Sequence, residues 1–307
     1  MMRAPRMVKR PLGALAVVAA MAVVASCRGG GGEKPGAAPR TILQNKGSDT
    51  MVNVAQVWAE KYREVDPSVE IEVSGGGSGV GIAALIRGTV ELVNSSRDMK
   101  PEEIEQAKKN TGKTPKGFVV GFDALAVYVN KGNPLSEIAL EQLAEIYKEG
   151  GTLTRWSQLG VKIPGVQDDT IVLVSRQSSS GTYEFFREHV LGKQDFRLGS
   201  RDLNGSKEVV ELVGSTPTAI GYSGMGYATP AIKMLALASK PGAAAVAPSA
   251  AAVKDKSYPL ARSLHIYTLG DPEGPAKRYI DWILSPAGQQ IVQESGYVPL
   301  SAAPAAD

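Results

Sequence analysis

An arginine followed within six residues by serine, glycine and threonine can hold an oxyanion, and Arg176-Gln177-Ser178-Ser179-Ser180-Gly181-Thr182 has that spacing. Arg176 supplies an always-charged fork of N–H donors, and Ser180 and Thr182 supply hydroxyls. Gly181 lets backbone N–H groups at a helix start come close to a ligand. The same residue types recur upstream in Gly47-Ser48-Asp49-Thr50, in Ser74-Gly75-Gly76-Gly77-Ser78-Gly79 and in Asn94-Ser95-Ser96-Arg97-Asp98. Hydroxyl-rich stretches so far apart in sequence point to one anion clasped between two parts of the molecule. Each has a plainer reading beside it. Arg176 can be a surface arginine at a strand end, Ser180 and Thr182 helix caps, Ser95 and Ser96 a turn, and Arg97 half of a structural ion pair. Capping and anion binding use the same backbone geometry, so those two readings are compatible.

Other chemistry finds little to build on. The glycine stretch lacks the lysine of a P-loop and the spacing of a dinucleotide fingerprint, so it does not read as a nucleotide site. No Gly-x-Ser-x-Gly elbow occurs, and His189 and His265 are the only histidines available as a base. His189 falls on the helix after the Arg176 loop and His265 in a strand. Two histidines and one cysteine support neither a catalytic triad nor a zinc site. The chain is expected to bind rather than catalyse, with no metal and no cofactor.

The elements that position these loops are legible from periodicity. Thr41 to Leu43 reads as a strand before Gly47-Ser48-Asp49-Thr50, and Val54, Trp58 and Tyr62 recur at helical spacing behind a cap at Ser48 or Asp49. Val69 to Val73 alternates as a strand, Ile82 to Arg87 reads as a helix, Val90 to Val93 as a strand, and Pro101 as a helix first turn. Phe118 to Phe122 and Ala124 to Val129 read as two strands before the turn Gly132-Asn133-Pro134, where the chain is expected to cross to a second lobe. Ile171 to Val174 leads into the Arg176 loop. Ser206 to Val213 is helical, Ala219 to Tyr222 a strand, Pro241 to Val253 an alanine-rich surface excursion, and Leu264 to Thr268 the returning strand. Helices from Pro275 and from Pro286 end the fold. Alternating strands and helices imply an α/β chain of two lobes, each a mainly parallel sheet flanked by helices, joined by hinge crossings. Lobe one takes residues 41–125 and 262–307, and lobe two residues 126–261. All four hydroxyl-rich loops follow strands, where such sheets bind ligands.

At 307 residues and 43% hydrophobic the chain can bury two cores. Its first 26 residues read as an export signal, with Arg3, Arg6, Lys9 and Arg10 before an apolar run from Leu12 to Val24 that is too short to span a bilayer. Val24-Ala25-Ser26-Cys27 ends it like a lipobox, and Cys27 is the sole cysteine, so lipidation rather than a disulfide is its expected fate. Residues 27–40 then form a glycine- and proline-rich tether. Losing the four basic residues of the leader takes the formal charge from +3 to −1. A mature chain without positive excess is not expected to bind nucleic acid.

With these residues in view, the chain resembles the phosphate-binding proteins of bacterial ABC importers, which have the type II periplasmic binding protein fold. The resemblance rests on Gly47-Ser48-Asp49-Thr50, the Ser74 to Gly81 loop, Ser95-Ser96-Arg97, the Arg176-to-Thr182 string and Ala219-Ile220-Gly221-Tyr222. It implies a monomeric, lipid-anchored receptor, exported and held at a bacterial membrane, that hands inorganic phosphate to permease subunits. The implied phosphate contacts are Ser48, Asp49, Thr50, Ser78, Ser96, Arg176, Ser180, Gly181 and Thr182, with Gly77, Gly79, Ser95 and Arg97 as outer candidates. Larger receptors of this family place an aspartate at the third loop to accept the proton of hydrogen phosphate; Ser96 stands there in this chain. Either Asp49 has taken over that role, which distinguishes phosphate from sulfate, or Asp49 only caps the helix after it. A receptor for sulfate or another tetrahedral oxyanion, and a surface lipoprotein that senses phosphate or adheres, are the alternative functions.

Overall fold

Thr41–Gly47 (β1) runs parallel to Val69–Ser74 (β2) on one side and to Leu92–Ser95 (β3) on the other, with Val52–Val65 (α1) and Ser78–Ile86 (α2) as the connecting helices. The computed structural model describes residues 40–300, which lie in one compact unit. The leader, Cys27, residues 27–39 of the tether and residues 301–307 lie outside the described residues. After Pro101–Thr111 (α3) comes Pro115–Asn130 (β4), then Glu137–Ala139 (β5), Leu140–Tyr147 (α4), Val172–Arg176 (β6), Gly181–His189 (α5) and Arg201–Leu203 (β7). Ser206–Ser215 (α6), Ala219–Gly224 (β8), Ile232–Met234 (β9), Ala236–Ala238 (β10) and Ala250–Lys254 (α7) follow. Ala261–Leu269 (β11), Gly274–Leu284 (α8) and Pro286–Glu294 (α9) complete the described chain.

The principal sheet has the order β2-β1-β3-β11-β4-β8-β6-β7, with β9 also paired to β4. Each wing holds three parallel strands, β2-β1-β3 and β8-β6-β7, and the two wings meet through antiparallel β11 and β4. β4 is a single strand of 16 residues rather than two. Its first part pairs with β11 as far as Ala124 opposite Ala261, and from Leu125 to Val129 it pairs with β8. The chain therefore changes wings inside β4, ahead of the Gly132-Asn133-Pro134 turn and at the residues where the two lobe ranges meet. A strand can pass from one sheet wing to another without a loop, because its ladder partners can change while its own conformation continues.

Separate apolar cores fix the two wings. Val54, Ala55, Trp58 and Tyr62 line one face of α1, as their spacing requires, and Tyr62 packs against Tyr279 and Trp282 of α8 at 4.9 and 5.3 Å between ring centroids. On the other wing Tyr147, Phe186 and Tyr222 pack together, with Phe186 and Tyr222 stacked at 4.0 Å. The architecture is mixed α/β with two wings, the class that the alternation of strands and helices in the sequence implies. The alanine-rich segment is more than a surface excursion, since α7 buries Ala252 and Val253 in the second core. α1 has no side-chain cap from Ser48 or Asp49; Met51 occupies its N-cap. Asp49 is drawn elsewhere.

Candidate functional site

The loops after β1, β2, β3 and β6 converge between the wings, each at the start of a helix or turn. Strand ends deliver them, and α1, α2 and α5 begin directly after three of them. Thr50 Oγ1 lies 2.9 Å from Thr182 Oγ1, joining the first loop to α5 of the opposite wing. Ser78 Oγ lies 3.4 Å from Ser96 Oγ and accepts the Ser96 N–H at 3.1 Å. Gly181 is laid directly on this serine pair: a Cβ there would stand 2.4 Å from Ser78 Oγ and 2.8 Å from Ser96 Oγ. Only glycine allows that approach. Ser180 caps α5, its hydroxyl accepting from the Thr182 N–H at 3.1 Å. Ser48 is buried, and its N–H donates to Asn94 O at 2.8 Å.

Gly77 and Gly79 form the backbone contact across the cleft. The Gly79 N–H donates to Ser179 O at 2.9 Å, and a Cβ on Gly77, whose φ is +98°, would stand 2.4 Å from that oxygen. Ser95 and Arg97 are committed elsewhere. Ser95 Oγ donates to Arg97 O at 2.7 Å, closing a turn, and the Arg97 guanidinium holds Glu103 through two hydrogen bonds of 2.8 and 2.7 Å. For Arg97 the ion-pair reading is the one the geometry bears.

Arg176 is fully buried at the end of β6. Its Nε donates to Leu203 O at 3.4 Å, Nη1 to Ser206 Oγ at 3.1 Å, and Nη2 to Asn204 O at 2.6 Å and to Asp49 Oδ2 at 3.1 Å. The fork is thus spent largely on protein acceptors, with one Nη1 hydrogen uncommitted. Asp49 in turn accepts the Gly76 N–H on Oδ1 at 2.8 Å, so its carboxylate ties the first loop, the glycine loop and the opposite wing together. Burial raises the Asp49 carboxyl above its ordinary range, against the pull of the Gly76 N–H and the Arg176 charge. Burial likewise lowers Arg176, opposed by Asp49.

Two residues of this centre were not singled out from the sequence. Arg262 of β11 donates through Nε and Nη2 to Asp123 Oδ2 of β4 at 3.0 and 2.8 Å, through Nη1 to Thr182 Oγ1 at 3.0 Å and through Nη2 to Thr50 Oγ1 at 3.3 Å. The Met225 N–H donates to Asp123 Oδ1 at 3.1 Å. Burial raises the Asp123 carboxyl and Arg262 opposes it. A signal was present: Asp123 is the only charge from Phe118 to Val129, and an ionisable residue inside an apolar strand needs a partner. Among the described residues no group of three or more His, Cys, Asp and Glu is placed to hold a metal ion, and no helix is long and apolar enough to cross a membrane.

Residues 32–287 match the model of the PBP superfamily domain. The phosphate-binding protein PstS of Pseudomonas aeruginosa is 36% identical over 270 residues, covering 85% of this chain and 83% of that protein. PstS of Bacillus subtilis is 31% identical over 299 residues, covering 94% and 93%. Among solved structures, a Clostridium perfringens protein described as a phosphate ABC transporter substrate-binding protein, with phosphate bound, superimposes with a TM-score of 0.73. It shares 29% identity, over 85% of this chain and all of that one. An ABC-type phosphate transport receptor from Vibrio cholerae gives 0.66 at 27% identity, over 83% and 99%.

Proposed function

We propose, given that this chain belongs to the PstS family of phosphate-binding proteins within the PBP superfamily, that it captures inorganic phosphate and delivers it to the permease of an ABC importer. One observation supports the reading: Thr50 meets Thr182 between the wings, Ser78 and Ser96 lie against Gly181 of the opposite wing, and the buried Arg176 guanidinium crosses to Asp49. Phosphate is held by Ser48, Asp49, Thr50, Ser78 and Ser96 from lobe one, and by Arg176, Ser180, Gly181 and Thr182 from lobe two. An oxyanion enters by replacing the direct contacts between Thr50 and Thr182 and between Ser78 and Ser96. Closure over it removes water, which strengthens each charge-assisted hydrogen bond. The lobes are those read from the sequence, 41–125 with 262–307 and 126–261, residues 301–307 lying outside the described ones, and the inner limit is supported by the change of partners in β4 at Ala124.

Asp49 is the acceptor for the ligand's remaining proton. It is the carboxylate at the clasp that keeps some exposure, at 15%, and each of its oxygens accepts one hydrogen bond in this structure, which leaves lone pairs for a further donor. Sulfate has no proton to give and would set an unpaired oxygen against the carboxylate. Titration of the full chain with phosphate and then sulfate tests the function. Tight one-to-one phosphate binding without a sulfate signal is expected; comparable binding of both would make the chain a general oxyanion receptor, and no binding of either would reduce the relationship to fold.

The receptor works as a monomer, as its family resemblance implies, exported and tethered by lipid on Cys27 after loss of residues 1–26, a reading of export and anchor supported by the sequence of the leader alone. Replacing Cys27 with serine is expected to release the chain from the membrane fraction. Retention there would refute the anchor.

A further inference from the structure

Arg262 occupies a place in the site that the phosphate reading does not yet use. It sits on β11 directly opposite Asp123 of β4, at the point where the chain passes between wings, and it touches a hydroxyl from each wing. A guanidinium has only donors, so each threonine oxygen spends a lone pair on it, and here one of the two hydroxyls also donates to the other at 2.9 Å. An oxyanion that replaces this mutual contact frees both hydrogens, which the positive charge behind them turns toward the ligand.

We infer that Arg262 is a positioning and specificity residue of the oxyanion site, turning Thr50 and Thr182 into a donor end that faces ionised ligand oxygens and leaves Asp49 as the place for a ligand proton. The inference rests on the phosphate reading. Its consequence is a limit on the ligand's protonation state. The site offers a carboxylate acceptor at Asp49, and a second proton directed at the threonine end would meet their hydrogens, so the dianion binds more tightly than dihydrogen phosphate.

The groups facing Arg262 are Asp123 from β4, Thr182 and Phe185 from α5, Thr50 from the first loop and the Ser96 carbonyl from the third. The Phe185 ring centroid lies 5.6 Å from the guanidinium carbon. Asp49 and Arg176 are further charges at the clasp, Glu184 of α5 and Lys100 pair across the cleft, and His265 lies further along β11.

The test is the pH dependence of phosphate affinity in the full chain and in Arg262→Met and Arg262→Lys. With the wild type, affinity should fall about tenfold per pH unit once pH drops below the second ionisation of phosphate. Arg262→Met should bind roughly tenfold or more weakly where the dianion prevails, and with a shallower slope, because freed hydroxyls can accept from a second ligand proton. Arg262→Lys keeps a charge opposite Asp123, so it carries the test if Arg262→Met does not fold. A single ammonium lacks the fork that serves both threonines, and an intermediate slope is expected. A variant with weakened affinity and the wild-type slope would make Arg262 a scaffold only, and unchanged affinity would remove it from the site; either overturns the inference while the receptor reading stands. Failure of the wild type to bind phosphate would instead overturn the receptor reading.

Discussion

Two aspartate–arginine pairs flank the same cleft and differ in what holds them. Asp123 and Arg262 are cross-strand neighbours on β4 and β11, with side chains 0% and 1% exposed. Asp49 and Arg176 reach each other from opposite wings, from the loop after β1 and the end of β6, and Asp49 keeps 15% of its side chain exposed. The first pair is locked by a ladder of backbone hydrogen bonds and stays together whatever the wings do. The second has no such ladder, and under the proposed closure it would be broken when the wings part. Burial raises the carboxyl of both aspartates and arginine opposes the rise in both, so the chemistry is alike and the mechanics are not. One pair is a pivot and the other a latch.

The largest effect should come from breaking the pivot. Asp123→Asn leaves Arg262 buried without its counter-charge, which costs about 3–5 kcal/mol and lowers Tm by on the order of 10 °C. Calorimetric melting of the ligand-free chain checks this, and a loss no greater than that of Asp49→Asn would erase the distinction between the pairs. Arg176→Met comes next and should move a different quantity. Methionine fills similar volume and Asp49, 15% exposed, can find water, but the Leu203 and Asn204 carbonyls lose their donor, so stability falls by about 1–3 kcal/mol, less than in Asp123→Asn, while phosphate binding weakens about a hundredfold through lost charge-assisted contacts. Affinity retained with stability lost would turn the latch into a second pivot. Asp49→Asn is subtler still: it keeps the shape and removes the acceptor, so the preference for phosphate over sulfate should shrink about tenfold. Unchanged discrimination would return the proton to some other group.

The loop that carries Arg176 was legible in the sequence and neither aspartate–arginine pairing was, for a physical reason. Arg176, Ser180, Gly181 and Thr182 lie within seven residues, and local spacing carries their geometry. The same holds for α1, whose buried Val54, Trp58 and Tyr62 show as a periodic stripe. Asp123 and Arg262 are 139 residues apart and meet only because β4 and β11 pair, and pairing is not written in either strand. The continuous β4 was hidden for a similar reason, since Asp123 interrupts an apolar run and reads like a break until its partner is known. Asp49 shows the opposite failure. Its position suggested a helix cap, yet an arginine and an N–H from distant loops offer a carboxylate more than the first turn of α1 does.

A third pair places the comparison on a scale. Lys100, before α3, reaches Glu184 of α5 across the cleft at 2.6 Å, with side chains 41% and 24% exposed. It spans the wings as the latch does, so opening must break it, but it stands largely in water, where the Coulomb gain is small and salt screens it. Glu184→Gln should therefore change phosphate affinity by less than about fivefold, through faster release rather than slower capture, and the difference should fade as ionic strength rises. Stopped-flow release measured at low and high salt would show this. If burial sets the worth of each bridge, the three substitutions rank as Asp123, Asp49 and Glu184 in stability of the ligand-free chain. A release rate that rises in Glu184→Gln as much as in Asp49→Asn, and does so at high salt, would mean that spanning the cleft matters more than being shielded from water.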